Sequence, residues 1–201
     1  MKQEDAKKIF KTNFIGTEEL NSISKINFNI PEKANDINMN FDGIDPDKYL
    51  LILGCKTLSD NSVLNVDSFI KKFGYKYDIN SICFYNQDWY LKEDFIFNSL
   101  TDKWYLIQKN IPDETRGLEP ISSYISNLPS AILCVYTFFI WWLLKGETLW
   151  ANDYIWCSDF DRYGDRIYVG KYLDKDNKER SGFSIHRHLS IKQNYGSIKS
   201  I

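Results

Sequence analysis

Hydrophobic residues are sparse in the first part of the chain, which is rich in Lys, Glu, Asn and Asp. The few apolar side chains there predict one or two short amphipathic helices, around 4–12 and 17–25. These helices should end before Pro31, because proline lacks the backbone donor that a helix interior needs. The Asn, Asp, Gly and Pro residues of KANDINMNFDGIDPD (33–47) then predict a loop.

The composition changes at Lys48, and this change predicts two regions. Residues 1–47 form an N-terminal amphipathic helical arm and loop, and residues 48–201 form a globular α+β domain. The globular region opens with KYLLILGCK (48–56), a continuous apolar run between a proline and the polar segment TLSDNS. A short run of this kind is typical of a strand that is buried on both faces.

Four further elements are predicted before the middle of the chain. NVDSFIKKFGY (65–75) has the apolar spacing of a helix, and its glycine marks the helix end. SICFY (81–85) and KWYLIQKN (103–110) are predicted strands. QDWYLKEDFIFNSL (87–100), between them, is predicted to be a short helix.

The most apolar stretch is SAILCVYTFFIWWLLKGE (130–147), which carries no charge from Ala131 to Leu144. Its Lys-Gly end predicts a helix terminus. Fourteen residues at 1.5 Å each give a helix about 21 Å long, whereas a bilayer hydrocarbon core is about 30 Å thick. A short helix that is apolar all round is typical of a buried core helix. This helix is thus too short to span a bilayer, and a partner interface or membrane insertion without a span remain the alternatives.

Three strand-like runs follow, over 153–159, 165–173 and 183–191, and turn sequences separate them. Such a series predicts a three-stranded antiparallel meander. Helices and strands do not alternate regularly along the chain, which favours the α+β class. We therefore predict a single α+β domain whose buried helix, at about 130–145, packs on a mixed or antiparallel sheet that includes the C-terminal meander.

Charge and cysteine content bear on partners and compartment. The chain has 25 Lys and Arg against 27 Asp and Glu, and no basic stripe, so it carries no clear nucleic-acid signature. Its four cysteines lie far apart, and its N-terminus lacks the apolar run of a signal peptide. Both features predict reduced thiols in a cytoplasmic protein. The Lys-, Asn- and Ile-rich composition indicates an AT-rich bacterial or phage genome.

Both histidines of the chain lie in FSIHRHLSI (183–191). In a strand, His186 and His188 would project from one face, because side chains alternate. Two imidazoles and a carboxylate can bind a divalent metal, and Asp159 or Asp161 could supply the carboxylate from a neighbouring strand. This set predicts the alternative function, a metal-dependent hydrolase or nuclease. Two exposed histidines on a solvated sheet face are the simpler interpretation.

Aromatic residues make up 16% of the chain. Such residues dominate both protein cores and binding hot spots. Trp89, Tyr90, Trp104 and Tyr105 are the candidates for an aromatic-rich binding surface. The chain contains no P-loop, GxGxxG, GxSxG or HExxH motif, and we identify no catalytic residue. We therefore favour a non-catalytic protein, without a cofactor, that binds another protein or a small ligand.

Two regions, YNQDWYLKEDF…KWYLIQKNIP (85–112) and YTFFIWWLLKGETLW through CSDFDRYGDRIYVGKY (136–172), resemble a loosely defined group of bacterial proteins without an assigned activity. The shared pattern is W-Y-x-x-E-x-F, W-x-L-(I/V)-x-K, G-E-x-L and R-(I/V)-x-V-G. The resemblance implies no activity. The matching residues are Trp89, Tyr90, Glu93, Phe95, Trp104, Leu106, Lys109, Gly146, Glu147, Leu149, Arg166, Val169 and Gly170.

The segment GFSI (182–185) is also similar to the closing strands of C-type-lectin-like and formylglycine-generating-enzyme-like domains. The tryptophan-serine motif that precedes those strands is interrupted here by Cys157. This second resemblance implies a binding module.

Overall fold

The computed structural model describes residues 1–76, 78, 81–173, 176, 181–188 and 190–201. Helices and strands are mixed along the chain without regular alternation, so the predicted α+β class is confirmed. The helices are α1 (Gln3–Phe10), α2 (Thr17–Asn21), α3 (Val66–Phe73), α4 (Ser122–Ile125) and α5 (Ala131–Lys145). The strands are β1 (Phe14–Ile15), β2 (Tyr49–Leu53), β3 (Trp104–Gln108), β4 (Tyr154–Phe160), β5 (Arg166–Tyr172), β6 (Gly182–His186) and β7 (Tyr195–Gly196).

The strands form two sheets. In the three-stranded sheet, β2 lies between β1, which runs parallel to it, and β3, which runs antiparallel. The four-stranded sheet has the order β6-β5-β4-β7. Strands β4, β5 and β6 are consecutive and antiparallel, which confirms the predicted meander. The short strand β7 joins the free edge of β4 in parallel.

The N-terminal region shares the hydrophobic core of the rest of the chain. Strand β1 pairs Phe14 with Leu51 of β2. Phe10 and Leu20 are buried in the same hydrophobic cluster as α5 and both sheets. The composition thus changes at residue 47, whereas the core continues across that position.

Helix α5 is the central helix predicted from the apolar stretch. The first eleven residues of the helix, from Ala131 to Trp141, are all buried. The Tyr136 hydroxyl donates a hydrogen bond of 2.8 Å to the Leu53 carbonyl and so joins α5 to β2. At its N-terminus, the Ser130 hydroxyl accepts from the Leu133 amide at 3.3 Å. Within the described residues, no helix combines the length and the apolar character needed to cross a bilayer.

Two predicted elements are absent as regular structure. The segment predicted as a strand over 81–85 makes only isolated bridges, among them Phe84 with Phe183. The helix predicted over 87–100 is a series of turns with one 3-10 turn, Asp94–Phe97. Tertiary contacts decide its shape, because the buried Glu93 carboxylate accepts from the guanidinium and the amide of Arg162 at 2.8 and 3.0 Å.

Candidate functional site

The four-stranded sheet has two chemically different faces. Because side chains alternate along a strand, Ile155, Val169 and Ile185 point into the core that contains α5. The opposite face, which we call the aromatic face, carries rings and one imidazole. Facing pairs on it are Trp156 with Tyr168, Tyr168 with His186, and Tyr154 with Tyr195.

Gly170 has no side chain, and this leaves room for Tyr154 on the neighbouring strand. Tyr154 of β4 is opposite Gly170 of β5. A Cβ atom at position 170 would lie 1.9 Å from the Asp153 carbonyl oxygen and 3.1 Å from the Tyr154 ring. Glycine is therefore needed for the two strands to approach at this point. The Tyr154 ring then lies 5.5 Å from the His186 ring, centroid to centroid.

A second glycine, Gly182, leaves room for the 83–85 segment to pack against β6. The Phe183 amide donates to the Cys83 carbonyl at 2.9 Å, and the Tyr85 amide donates to the Phe183 carbonyl at 2.7 Å. A Cβ atom at Gly182 would lie only 2.4 Å from the Tyr85 nitrogen. This close approach brings the Tyr85 ring to 5.1 Å from the Tyr172 ring of β5.

A turn closes the site on the other side. The Tyr195 amide donates to the Lys192 carbonyl at 2.9 Å, which defines the turn 192–195. The Tyr154 amide donates to the Asn194 carbonyl at 2.8 Å, and the Asn194 side-chain amide donates to the Asn152 carbonyl at 2.5 Å. The turn is thereby fastened to the start of β4.

These elements surround an open cavity of about 370 Å³, which we call the tyrosine pocket. Four tyrosines reach it from the 83–85 segment and from strands β4, β5 and β7, and a histidine reaches it from β6. The described residues that line it are Tyr85, Asn152, Tyr154, Tyr172, Leu173, His186, Lys192, Asn194 and Tyr195.

Burial favours the uncharged forms of three side chains of the pocket, His186, Tyr154 and Tyr195. Burial lowers the pKa of His186 to about 4, because desolvation disfavours the imidazolium. Burial also raises the pKa of Tyr154, and the neighbouring Tyr195 and Tyr172 raise it further. The pKa of Tyr195 is raised by burial as well. The walls therefore offer ring faces, phenolic hydroxyls and a neutral imidazole.

His186 also contacts a serine, an arrangement that resembles a nucleophile and its base. The Ser184 hydroxyl lies within hydrogen-bond distance of His186 Nε2, and Gln87 Nε2 lies 3.1 Å from His186 Nδ1. However, Ser184 is completely buried and does not line the pocket. A nucleophile must reach its substrate, so this contact orients the imidazole ring and gives no support to acyl transfer.

Of the residues proposed for the metal site, Asp161 and His188 lie close together, with His188 Nε2 3.9 Å from Asp161 Oδ2, whereas His186 and Asp159 lie apart from them. The predicted strand 183–191 ends at His186, and His188 adopts a positive φ of 59° beyond it, so the two imidazoles do not follow strand alternation. Asp159 is engaged elsewhere: it accepts from the Ala131 amide at 2.6 Å, at the start of α5, and from Asn98 at 3.3 Å. The shared face expected for the two histidines assumed a strand that continues to residue 191, whereas β6 ends at His186.

A different trio lies close together in and beside the β4–β5 turn. Potential ligand atoms of Asp161, Asp165 and His188 all lie within 4.8 Å of one another. Both carboxylate oxygens of Asp161 accept hydrogen bonds. One oxygen accepts from the amides of Tyr163 and Asp165 at 2.8 and 2.9 Å, and the other accepts from the Arg187 guanidinium. Burial favours a higher pKa for Asp161, but these bonds hold that pKa below its usual value. The Arg187 guanidinium thus supplies a positive charge beside Asp161.

The four aromatic residues predicted as a binding surface lie in two separate places. Tyr90 is completely buried, and Trp89 beside it donates from its indole to the Ile185 carbonyl at 3.1 Å. Trp104 is buried and donates to the Ala34 carbonyl at 3.0 Å. Tyr105 is half-buried, and its hydroxyl accepts from the Thr101 amide at 3.0 Å. None of the four lines the tyrosine pocket.

Trp104 does border a second, larger cavity of about 520 Å³, beside residues 31–40 and the C-terminal residue. Its described lining includes six polar or charged side chains, but recognition of a ring depends on several ring faces that converge on the ligand. In this cavity the described lining contains one aromatic ring, that of Trp104, and its indole N–H is already used. The tyrosine pocket is therefore the stronger candidate.

The sequence contained a signal for the aromatic face. In YIWCSDF (154–160) and RIYVGKY (166–172), rings occupy alternate positions, as expected for a strand with one aromatic face. The contribution of Tyr85 had no such signal, because the Phe84–Phe183 bridge that places it joins residues about 100 positions apart.

Comparison with protein-family models, with curated proteins and with solved structures gave no match to this chain.

Proposed function

We propose that the chain is a non-catalytic binding protein whose ligand site is the tyrosine pocket and whose ligand contains a small ring. One observation carries the proposal: five ring side chains from five separate segments converge on a single open cavity. Three of these rings, those of Tyr85, Tyr172 and His186, are only partly buried and so present accessible surface.

The chemistry of the pocket favours a ring compound. Aromatic side chains gain from offset or edge-to-face contact with a second ring, and a phenolic hydroxyl or imidazole can add a directional hydrogen bond. The volume of about 370 Å³ lies at the lower end of the range for small-molecule sites, about 300–1,000 Å³. A molecule of one or two rings fits this space better than an extended polymer.

The proposal includes a cytoplasmic location and a bacterial or phage origin. All four cysteines are buried and unpaired, which suits a reducing compartment. Residues for catalysis are not part of the proposal, because Ser184 is inaccessible and Asp161 is held by Arg187.

Ligand-observed NMR tests the proposal with three ring probes: p-cresol, adenosine and methyl glucoside. We expect saturation transfer from the protein to at least one of them. The Tyr172→Ala variant should weaken that binding roughly 10-fold, the loss expected when one apolar ring contact is removed. Tyr163→Ala is the matched control, because Tyr163 is 74% exposed and lies outside the pocket.

Two results would contradict the proposal. The first is no saturation transfer to any of the three probes. The second is binding that Tyr172→Ala leaves unchanged. Urea unfolding of each variant, followed by tryptophan fluorescence, checks that the substituted protein is folded.

A further inference from the structure

The tyrosine pocket carries one full charge among its described lining residues, that of Lys192. The described part of the lining contains no Asp or Glu, although acidic residues outnumber basic ones in the chain as a whole. The described part of the lining is thus positive, opposite in sign to the net charge of −2 of the chain.

Lys192 is held at the pocket through its backbone. Its carbonyl accepts the Tyr195 amide at 2.9 Å, so the lysine is fixed relative to one wall of the pocket. The Asn194 side chain ties the same turn to Asn152 at 2.5 Å. The Lys192 side chain is exposed, and its ammonium has no salt-bridge partner among the carboxylates in the described ranges.

These features discriminate between ligand charges. Ring faces alone attract cations, and sites for ammonium ligands use that attraction. Here the ammonium of Lys192 repels a second cation, and the described lining offers no carboxylate to offset the repulsion. An anionic group at the pocket mouth would instead gain a charge-assisted hydrogen bond.

Resting on the function proposed above, we infer that the ligand is a ring compound with one anionic substituent, a carboxylate or a phosphate, and that Lys192 binds this group. The tyrosine side chains contact the ring of the ligand, and Lys192 favours a ligand whose substituent is negatively charged. Lys192 is therefore the residue that determines specificity, whereas the tyrosines supply affinity that depends little on ligand charge.

Matched probes test this inference by calorimetry at pH 7.4 and low salt. The carboxylate arm compares p-cresol, 4-hydroxyphenylacetate and tyramine, and the phosphate arm compares adenosine with adenosine monophosphate. The anionic member should bind about 3- to 5-fold tighter than its neutral partner, the upper end of what one exposed ion pair contributes. Tyramine should bind more weakly than p-cresol. The arm that shows the preference identifies the anionic group.

Two lysine variants complete the test. Lys192→Gln should reduce the preference for the anion to less than about 2-fold while the affinity for the neutral probe is unchanged. Lys72→Gln, on α3 away from the pocket, should retain the full preference. If the probes bind without a charge preference, or if the preference survives in Lys192→Gln, the inference is overturned and the proposed function stands. If no ring probe binds at all, both are overturned.

Discussion

The His186 imidazole should make this protein less stable in mild acid. Burial lowers the pKa of His186 in the folded chain from an ordinary 6.5 to about 4. Above pH 6.5 the imidazole is neutral in both folded and unfolded chains and contributes no pH dependence. Between pH 6.5 and pH 4 the unfolded chain binds a proton that the folded chain excludes, so the free energy of unfolding falls as the pH falls.

The size of the effect follows from the pKa difference. One pKa unit corresponds to about 1.4 kcal/mol, so the full depression corresponds to about 3 kcal/mol lost by pH 4. Below pH 4 both chains bind the proton, and this contribution should level off. A loss of 3 kcal/mol is a large part of the stability of an ordinary domain.

Urea unfolding at pH 7, 6, 5 and 4.5 measures this effect, and the His186→Gln variant isolates it. The variant also loses packing, so we compare how each free energy changes with pH and disregard the absolute values. The wild-type free energy should fall more between pH 7 and 4.5 than that of His186→Gln, by about 2–3 kcal/mol. His188→Gln, which leaves His186 in place, should retain the wild-type difference. Equal pH dependence in wild-type and His186→Gln would refute a buried neutral imidazole.

Two further predictions concern the core and the buried ion pair. Phe139→Ala should lower the free energy of unfolding by about 3–5 kcal/mol, because five phenyl rings lie 4.3–5.9 Å from its ring. Phe97→Ala, at a residue 54% exposed, should change it by less than about 1 kcal/mol, and equal losses in urea unfolding would contradict this view of the core. Arg187→Ala should cost about 3 kcal/mol, since it leaves the buried Asp161 carboxylate unpaired. Adding Asp161→Asn to Arg187→Ala should recover part of that loss in a double-mutant cycle, and strict additivity would argue against a coupled pair.

Local patterns predicted the elements that carry their own hydrophobic signal. The apolar stretch forms α5, with Ser130 at its start and Gly146 in the left-handed region at its end. It was predictable because residues adjacent in the sequence determine both its burial and its capping. The meander followed from three short runs and their turns. The predicted helix over 87–100 failed, since Glu93 binds Arg162 on the β4–β5 turn, a partner that local spacing cannot reveal.

The sequence by itself determined the fold class, the central helix, the meander and the alternation that gives β4 and β5 an aromatic face. These properties depend on side-chain periodicity, which is local. Only the tertiary structure decided which polar and aromatic side chains come together in a site. It separated His186 from His188 by ending β6 between them, and it committed Asp159 to the start of α5. It also brought Tyr85 and the 192–195 turn to the same sheet face through backbone contacts between segments that are distant in the chain. A binding pocket is such a meeting of distant segments, and its position is set by how the sheets and loops pack.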